Sequence, residues 1–346
     1  MLQASAHPSD AELLNRWQQR FPLSPEPFEE LAAELGLADG AAVLARLKAL
    51  ERQGSLSRIG GIWAPRAAGA GLLCAMAVPA ERLDEVAQRV NARVGVNHNY
   101  EREHAFNLWF VLTGPDAACL ARELDALERE CQLPTLRLPM ERAYRINLGF
   151  DLKTPHGPDC EARQARNRPG VPVAAEDRAL AACVEQGLPL VARPYAAWAS
   201  AIGWDEARVQ ASLHRWLAQG SLRRFGLIVR HHELGFGANA MCVFNLPDEC
   251  VDAHAQLLAQ QTGVTLCYRR SRAPGWPYNL YCMFHGRERG EVQQWLAQAV
   301  EAAGLDGFEQ QQLFSRRRFK QCGARYFRPA EVAEGVEITK EEPHHV

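Results

Sequence analysis

Apolar positions between residues 28 and 50 recur at helical intervals. Phe28–Leu35 reads as an amphipathic helix ending at Gly36, and Val43, Leu44, Leu47 and Leu50 space another that Asp39 caps and Gly54 stops. A shorter helix over 10–19 precedes them. Two brief β runs follow, 56–59 and 62–64, with Gly60-Gly61 between them as a hairpin signal. Three helices and a small hairpin make a winged helix. Beyond it the pattern predicts a strand over 72–78, a helix over 81–91, strands over 95–102 and 107–113, a helix over 116–131 and a last strand over 135–138. That βαββαβ order is the ferredoxin-like split.

The same pattern returns later in the chain. Gln53-Gly54-Ser55-Leu56-Ser57-Arg58-Ile59-Gly60 reappears as Gln219-Gly220-Ser221-Leu222-Arg223-Arg224-Phe225-Gly226, 166 residues on. Val96–Arg102 matches Val264–Arg270 at a spacing of 168, and Asn107-Leu108-Trp109 matches Asn279-Leu280-Tyr281 at 172. A period this long describes two tandem copies, each large enough to bury its own core. The second copy predicts helices over 176–186, 195–202 and 205–219, and strands over 222–225 and 227–230. Its βαββαβ part then runs 240–246, 251–261, 264–270, 279–285, 291–303 and 309–314. The expected class is α+β, a tandem duplication of a winged helix-turn-helix and a ferredoxin-like domain. Its boundaries are a winged helix over 1–66, a ferredoxin-like domain over 67–155, a Pro/Gly-rich linker over 156–175, a second winged helix over 176–234, a second ferredoxin-like domain over 235–328 and a polar tail over 329–346.

Composition narrows the function classes. The chain of 346 residues is 47% hydrophobic with a formal net charge of −2, lacks an apolar run of spanning length, and does not begin with a basic-then-apolar signal pattern. A soluble, cytoplasmic protein is expected. No two of the ten cysteines take the spacing of a zinc ribbon or an iron–sulfur run, so they read as reduced thiols that mostly fill cores. Only Lys48, Lys153, Lys320 and Lys340 among the 39 basic residues are lysine. Such an arginine excess is what codon bias in a GC-rich genome gives, and also what recognition of carboxylates or phosphates requires.

A winged helix raises DNA binding as a first reading, and the local charge argues against it. Residues 10–58 carry six basic and eight acidic side chains, whereas phosphate neutralisation supplies most non-specific affinity. The third helix opens Gly40-Ala41-Ala42-Val43, which offers no hydrogen bonds to base edges, and its counterpart opens on Asp205 and Glu206.

Candidate chemistry gathers instead on the strands. His98, Tyr100, Arg102 and His104 share one parity, where a half-buried strand would ordinarily carry Val or Ile. The second copy offers Tyr268, Arg270 and Arg272, then Asn279, Tyr281, Met283 and His285 on the partner strand, with Trp276 in an inserted turn where a planar ligand could stack. Arg58 and Arg224 follow the two helix-turn-helix units, and Arg230, His231 and His232 could line an interdomain cleft. A solvent-facing strand and an ordinary surface histidine pair are the alternative readings.

The segments Val96–Phe110, Arg145–Leu152, Trp276–Tyr281 and Leu313–Phe327 resemble the siroheme decarboxylases, in the form that fuses both halves in one chain and serves d-type heme biosynthesis. These share ancestry with the Lrp/AsnC regulators, which combine the same two domains. The resemblance covers about residues 10–328 and implies non-oxidative loss of two acetate carboxyls from siroheme, giving 12,18-didecarboxysiroheme, with iron arriving in the substrate and no separate cofactor. It implies siroheme and its products as ligands, with other d-type heme biosynthesis proteins as further partners, no DNA or membrane, and a pseudo-heterodimer within one chain that could pair again as a homodimer. A flat polycarboxylate calls for arginine forks, aromatic walls and a proton donor. Arg58, Arg102, Arg224, Arg270 and Arg272 are the carboxylate-binding candidates, with Tyr268, Trp276 and Asn279 beside them. His98, His104 and Tyr100 are the catalytic candidates, and His231 or His285 could meet the iron. The competing reading is a heme-responsive Lrp/AsnC-type regulator; a tetrapyrrole carrier differs from the decarboxylase only in turnover.

Overall fold

The computed structural model describes residues 8–146, 170–229 and 237–327. Helices α1 (Pro8–Arg16), α2 (Pro27–Leu35) and α3 (Gly40–Arg52) lead into strand β1 (Leu56–Trp63). In the second half α6 (Arg178–Gln186), α7 (Pro194–Ile202) and α8 (Glu206–Gln219) lead into β6 (Leu222–Val229). Asp39 accepts the Ala42 N–H at 2.8 Å and Asp205 accepts the Arg208 N–H at 2.7 Å, so each third helix starts on a side-chain cap worth about 1 kcal/mol.

Neither predicted hairpin forms. β1 and β6 are continuous strands that pair antiparallel with each other, Gly60 opposite Gly226. Gly60-Gly61 is extended because α6 packs onto it: a Cβ at Gly60 would stand 2.9 Å from the Val184 carbonyl oxygen, and one at Gly61 2.5 Å from the Leu222 side chain. The glycine pair marks close packing rather than a turn. The two helix-turn-helix units consequently share one core, in which Leu13, Trp17, Phe21 and Phe28 meet Val184, Tyr195, Trp198 and Phe225.

The βαββαβ order appears in both halves. It comprises β2 (Ala70–Met76), α4 (Leu83–Ala92), β3 (Val96–Arg102), β4 (Leu108–Gly114), α5 (Ala117–Cys131) and β5 (Leu136–Ile146). The second set is β7 (Ala238–Asn245), α9 (Val251–Leu258), β8 (Val264–Arg270), β9 (Leu280–Gly286), α10 (Arg289–Ala302) and β10 (Glu309–Gln321). The strands close a barrel in the order β10-β3-β4-β2-β5-β8-β9-β7. Closure depends on β5 and β10, both longer than the alternation predicts. β5 pairs with β2 through Pro139 and then with β8 from Met140, while β10 pairs with β7 through Phe314 and then with β3 from Ser315. Each last strand thus bends from its own sheet into the other half's sheet, as corner strands do in orthogonal packings.

Alternation divides the side chains into layers. Cys74, Phe110 and Leu112 pack under α4 and α5, and Cys242, Cys282 and Phe284 under α9 and α10. Ala75, Trp109, Leu138, Met241, Val243, Tyr281 and Leu313 form a separate core between the sheets. The nine described cysteines are free thiols, five of them buried. Among the described residues no helix is long and apolar enough to cross a membrane.

Candidate active site

β3 turns His98, Tyr100 and Arg102 into the space between the sheets. The His98 and Tyr100 rings stack with centroids 6.3 Å apart, and the Arg102 guanidinium lies 5.6 Å from the centre of the Tyr100 ring. Arg102 is 6% exposed and reaches across to the second half, donating from Nη1 to the Leu313 carbonyl at 2.9 Å and to Asn239 Oδ1 at 3.4 Å, with Nη2 4.0 Å from Met283 Sδ. Its Nε is buried and finds no hydrogen-bond partner among the described residues. His285 on β9, whose register partner is Asn239, joins this group near enough to feel the Arg102 charge.

Burial sets the protonation states. It pushes His98 down to about 4 and His285 down to about 4, the latter aided by the Arg102 charge, and it pulls Arg102 down to about 10. The Tyr100 phenol is raised by burial. His98, Tyr100 and His285 nevertheless remain half-buried rather than sealed.

Neighbours fix both imidazoles. Asn97 Oδ1 lies 2.7 Å from His98 Nδ1, and because the Asn97 amide nitrogen donates to Thr113 Oγ1, the oxygen accepts a hydrogen carried on Nδ1. The lone pair of neutral His98 is therefore on Nε2. Thr265 Oγ1 lies 2.8 Å from His285 Nδ1 and donates onward to the Met283 carbonyl, which gives His285 the same tautomer. Sequence reasoning missed Asn97, Thr265 and Ser315, whose hydroxyl donates to Asn239 Oδ1. Asn97 and Thr265 were legible only as neighbours of strand candidates, and Ser315 depends on pairing between the halves.

The second half repeats the motif. Arg270 donates to the Leu138 carbonyl at 2.9 Å, also lacks a partner for Nε, and lies over the Tyr268 ring at 5.3 Å and the Tyr281 ring at 5.7 Å.

Several expected ligand residues do other work. β3 ends at Arg102, the chain turns through a bond from the Arg102 N–H to the Asn107 carbonyl, and His104 falls outside the strand whose parity it was expected to share. Its Nδ1 accepts the Phe106 N–H at 3.0 Å, and its ring stacks on Phe106 and meets Trp276 edge-on. Trp276, 1% exposed, is no open stacking face: Trp109, Phe106 and Tyr278 surround it, and its Nε1 donates to the Tyr281 hydroxyl at 2.7 Å. Asn279 is engaged in full by the loop after β7, accepting the Leu246 N–H and donating to the Leu246 carbonyl and Asp248, each at 3.0 Å. Its counterpart Asn107 clamps Val78 in the same way. Arg272 braces that surface loop through Asp248 at 2.8 Å and the Pro277 carbonyl.

Arg224 lies in the helical layer, donating to the Gln18 and Leu227 carbonyls. Arg58 packs over the Gly323 backbone beside Glu185, and burial lowers its pKa. His231 lies outside the described residues, as does the cluster around it.

Residues 10–56 and 177–223 match the siroheme decarboxylase NirDL-like HTH domain, and residues 68–145 and 233–320 match the AsnC-like ligand binding domain. The siroheme decarboxylase NirDL subunit of Paracoccus denitrificans is 42% identical over 318 residues, spanning 91% of this chain and 96% of that protein. A crystal structure of siroheme decarboxylase NirDL superposes with a TM-score of 0.67 at 27% identity, over 92% of this chain and 94% of that one. Another, of NirDL in complex with an iron-uroporphyrin III analogue, gives 0.64 at 26% identity over the same shares. The chain belongs to the NirDL siroheme decarboxylase family.

Proposed function

We propose that this protein decarboxylates siroheme, removing the carboxyl groups of two acetate side chains to give 12,18-didecarboxysiroheme for d-type heme biosynthesis. The observation that carries the reading is the cluster between the sheets: a buried arginine whose Nε lacks a partner, an aromatic ring beside it and two neutral imidazoles, in a member of this family. A related NirDL has been crystallised with an iron-uroporphyrin III analogue, another polycarboxylate macrocycle, which supports a ligand of this class here.

Arg102 holds a carboxylate of the substrate, and Tyr100 lines the ring. The C–C bond to the departing carboxylate breaks, carbon dioxide leaves, and the electron pair passes into the conjugated macrocycle. The former methylene carbon then takes a proton from His98 Nε2 and becomes a methyl group. Solvent reprotonates His98, so each decarboxylation consumes one proton. For His98 to act as the acid it must first be charged, and the anionic substrate supplies the field that does so. Iron enters as part of the substrate, with His285 or His231 as its protein-side neighbour, and the reaction needs no separate cofactor. Siroheme and its products are the partners this reading requires, and it places the enzyme in the cytoplasm.

Anaerobic incubation of the purified chain with siroheme tests the reading. Macrocycles lighter by one and then two carbon dioxide masses are expected. Unchanged siroheme in the presence of folded protein refutes it.

A further inference from the structure

His98 meets the side chain of the residue just before it because β3 is irregular at that point. Between Val96 and His98 the pairing with β4 slips: Val96 faces Leu112, His98 faces Val111, and Asn97 is the extra residue of a β-bulge. In a regular strand Asn97 and His98 would project to opposite sides. The bulge cancels that alternation, and Asn97 Oδ1 comes to lie 2.7 Å from His98 Nδ1. β8 is bulged at the equivalent place, between Val264 and Leu266, and there the extra residue, Thr265, meets Nδ1 of His285 at 2.8 Å.

Asn97 is itself held. It is 4% exposed, its backbone carbonyl accepts the Cys322 N–H at 2.8 Å, and its side-chain nitrogen donates to Thr113 Oγ1 at 3.4 Å. Thr113 Oγ1 also accepts the Arg325 N–H at 3.2 Å and has the Gly95 and Arg325 carbonyls at 3.2 and 3.3 Å to receive its hydrogen. With that hydrogen committed to a carbonyl, the hydroxyl can only accept from Asn97. A flipped amide would set two acceptors face to face in a buried place. The orientation of the amide is therefore fixed, and with it the hydrogen on His98 Nδ1.

We propose that Asn97 is a positioning residue for the decarboxylation: it keeps the His98 hydrogen on Nδ1 and the ring in one pose, so that Nε2 faces the substrate. This rests on the decarboxylase reading, in which Nε2 delivers the proton. The groups about His98 are Tyr100 and Arg102 on its own strand, Val111 on β4, Arg318 and Gln321 on β10 and, beside Arg102, His285 on β9. None of these is a carboxylate. A carboxylate in place of the Asn97 amide would orient the ring as well but would charge it before the substrate arrives. The neutral amide leaves that step to the substrate.

Asn97→Leu and Asn97→Asp test this, first without turnover. Heteronuclear NMR spectra of protein labelled at its histidine nitrogens, with His98 assigned from His98→Gln, should show neutral His98 with its hydrogen on Nδ1 in the wild type and a mixture of tautomers in Asn97→Leu. An unchanged tautomer in Asn97→Leu overturns the proposal, whether or not siroheme is decarboxylated. With siroheme, kcat of Asn97→Leu should fall by about tenfold to a hundredfold while iron uroporphyrin binds within about threefold of the wild-type affinity. Wild-type kcat, or lost binding in place of lost kcat, overturns it. Asn97→Asp keeps the acceptor and should recover most of that kcat, with the alkaline limb of its pH profile raised by about one pH unit or more because the carboxylate stabilises the charged imidazole. Asn97→Asp as slow as Asn97→Leu, on an unmoved profile, shows a support for the bulge alone and overturns the proposal.

Discussion

Binding of a polycarboxylate macrocycle is expected to draw a proton onto His98. Burial holds His98 at about 4, so at pH 7 only about one imidazole in a thousand is charged, and charging it costs roughly 4 kcal/mol. A carboxylate held about 4 Å away at the effective dielectric of a partly accessible site returns about 4 kcal/mol. One well-placed carboxylate thus brings the imidazole back to near-neutral pKa. At pH 6.5, binding of iron uroporphyrin should take up between about 0.5 and 1 proton more in the wild type than in His98→Gln. Calorimetric titrations in buffers of different ionisation enthalpy measure this directly, because the apparent heat varies with the buffer in proportion to the protons exchanged. Equal proton uptake by the two proteins would refute the assignment of His98 as the acid that the substrate charges.

Other expectations separate site from scaffold. Asn279→Ala removes three hydrogen bonds and leaves the buried Leu246 N–H and carbonyl without side-chain partners, so chemical denaturation should show a loss of about 3–5 kcal/mol, while kcat/KM per folded molecule stays near wild type. Asn107→Ala should behave alike at a smaller magnitude; a selective loss of activity in either would return that residue to the ligand site. Burial raises the Glu185 carboxyl to about 7 against two backbone donors that favour the carboxylate. Because its folded pKa lies above the unfolded value, its contribution is present below pH 4.5 and lost as pH rises through 7, about 3 kcal/mol in all. Glu185→Gln should flatten that component of the stability profile between pH 5 and 8, and parallel profiles for the two proteins would count against it. Arg272→Gln, at a surface ion pair, should change stability by no more than about 1 kcal/mol and leave siroheme turnover unchanged, whereas a large rise in KM would place Arg272 on the substrate.

What the sequence made legible was local or repeated. The helices, the βαββαβ order and the shared inward parity of His98, Tyr100 and Arg102 follow from periodicity and from the second copy. What it hid depends on one half meeting the other. Gly60-Gly61 looks like a turn until α6 of the second half is seen lying on it. The alternation of β5 and β10 stops at Leu138 and Phe314 because the strands there leave their own sheet and continue on a partner no local pattern reveals. Trp276 and Asn279 carry side chains suited to a ligand, and the structure shows their hydrogen-bonding groups and faces already engaged within the protein. Residues of the same type thus part company on context: Arg102 and Arg270 lie in the interior with Nε unpartnered among the described residues, while Arg272 closes a surface loop.

A crystal structure of this chain with iron uroporphyrin bound tests the central claim most directly. The account predicts one macrocycle per chain, between the sheets, with a carboxylate on Arg102 and another beside His98 Nε2. A macrocycle lying against Trp276 and Arg272, away from both histidines, would contradict it.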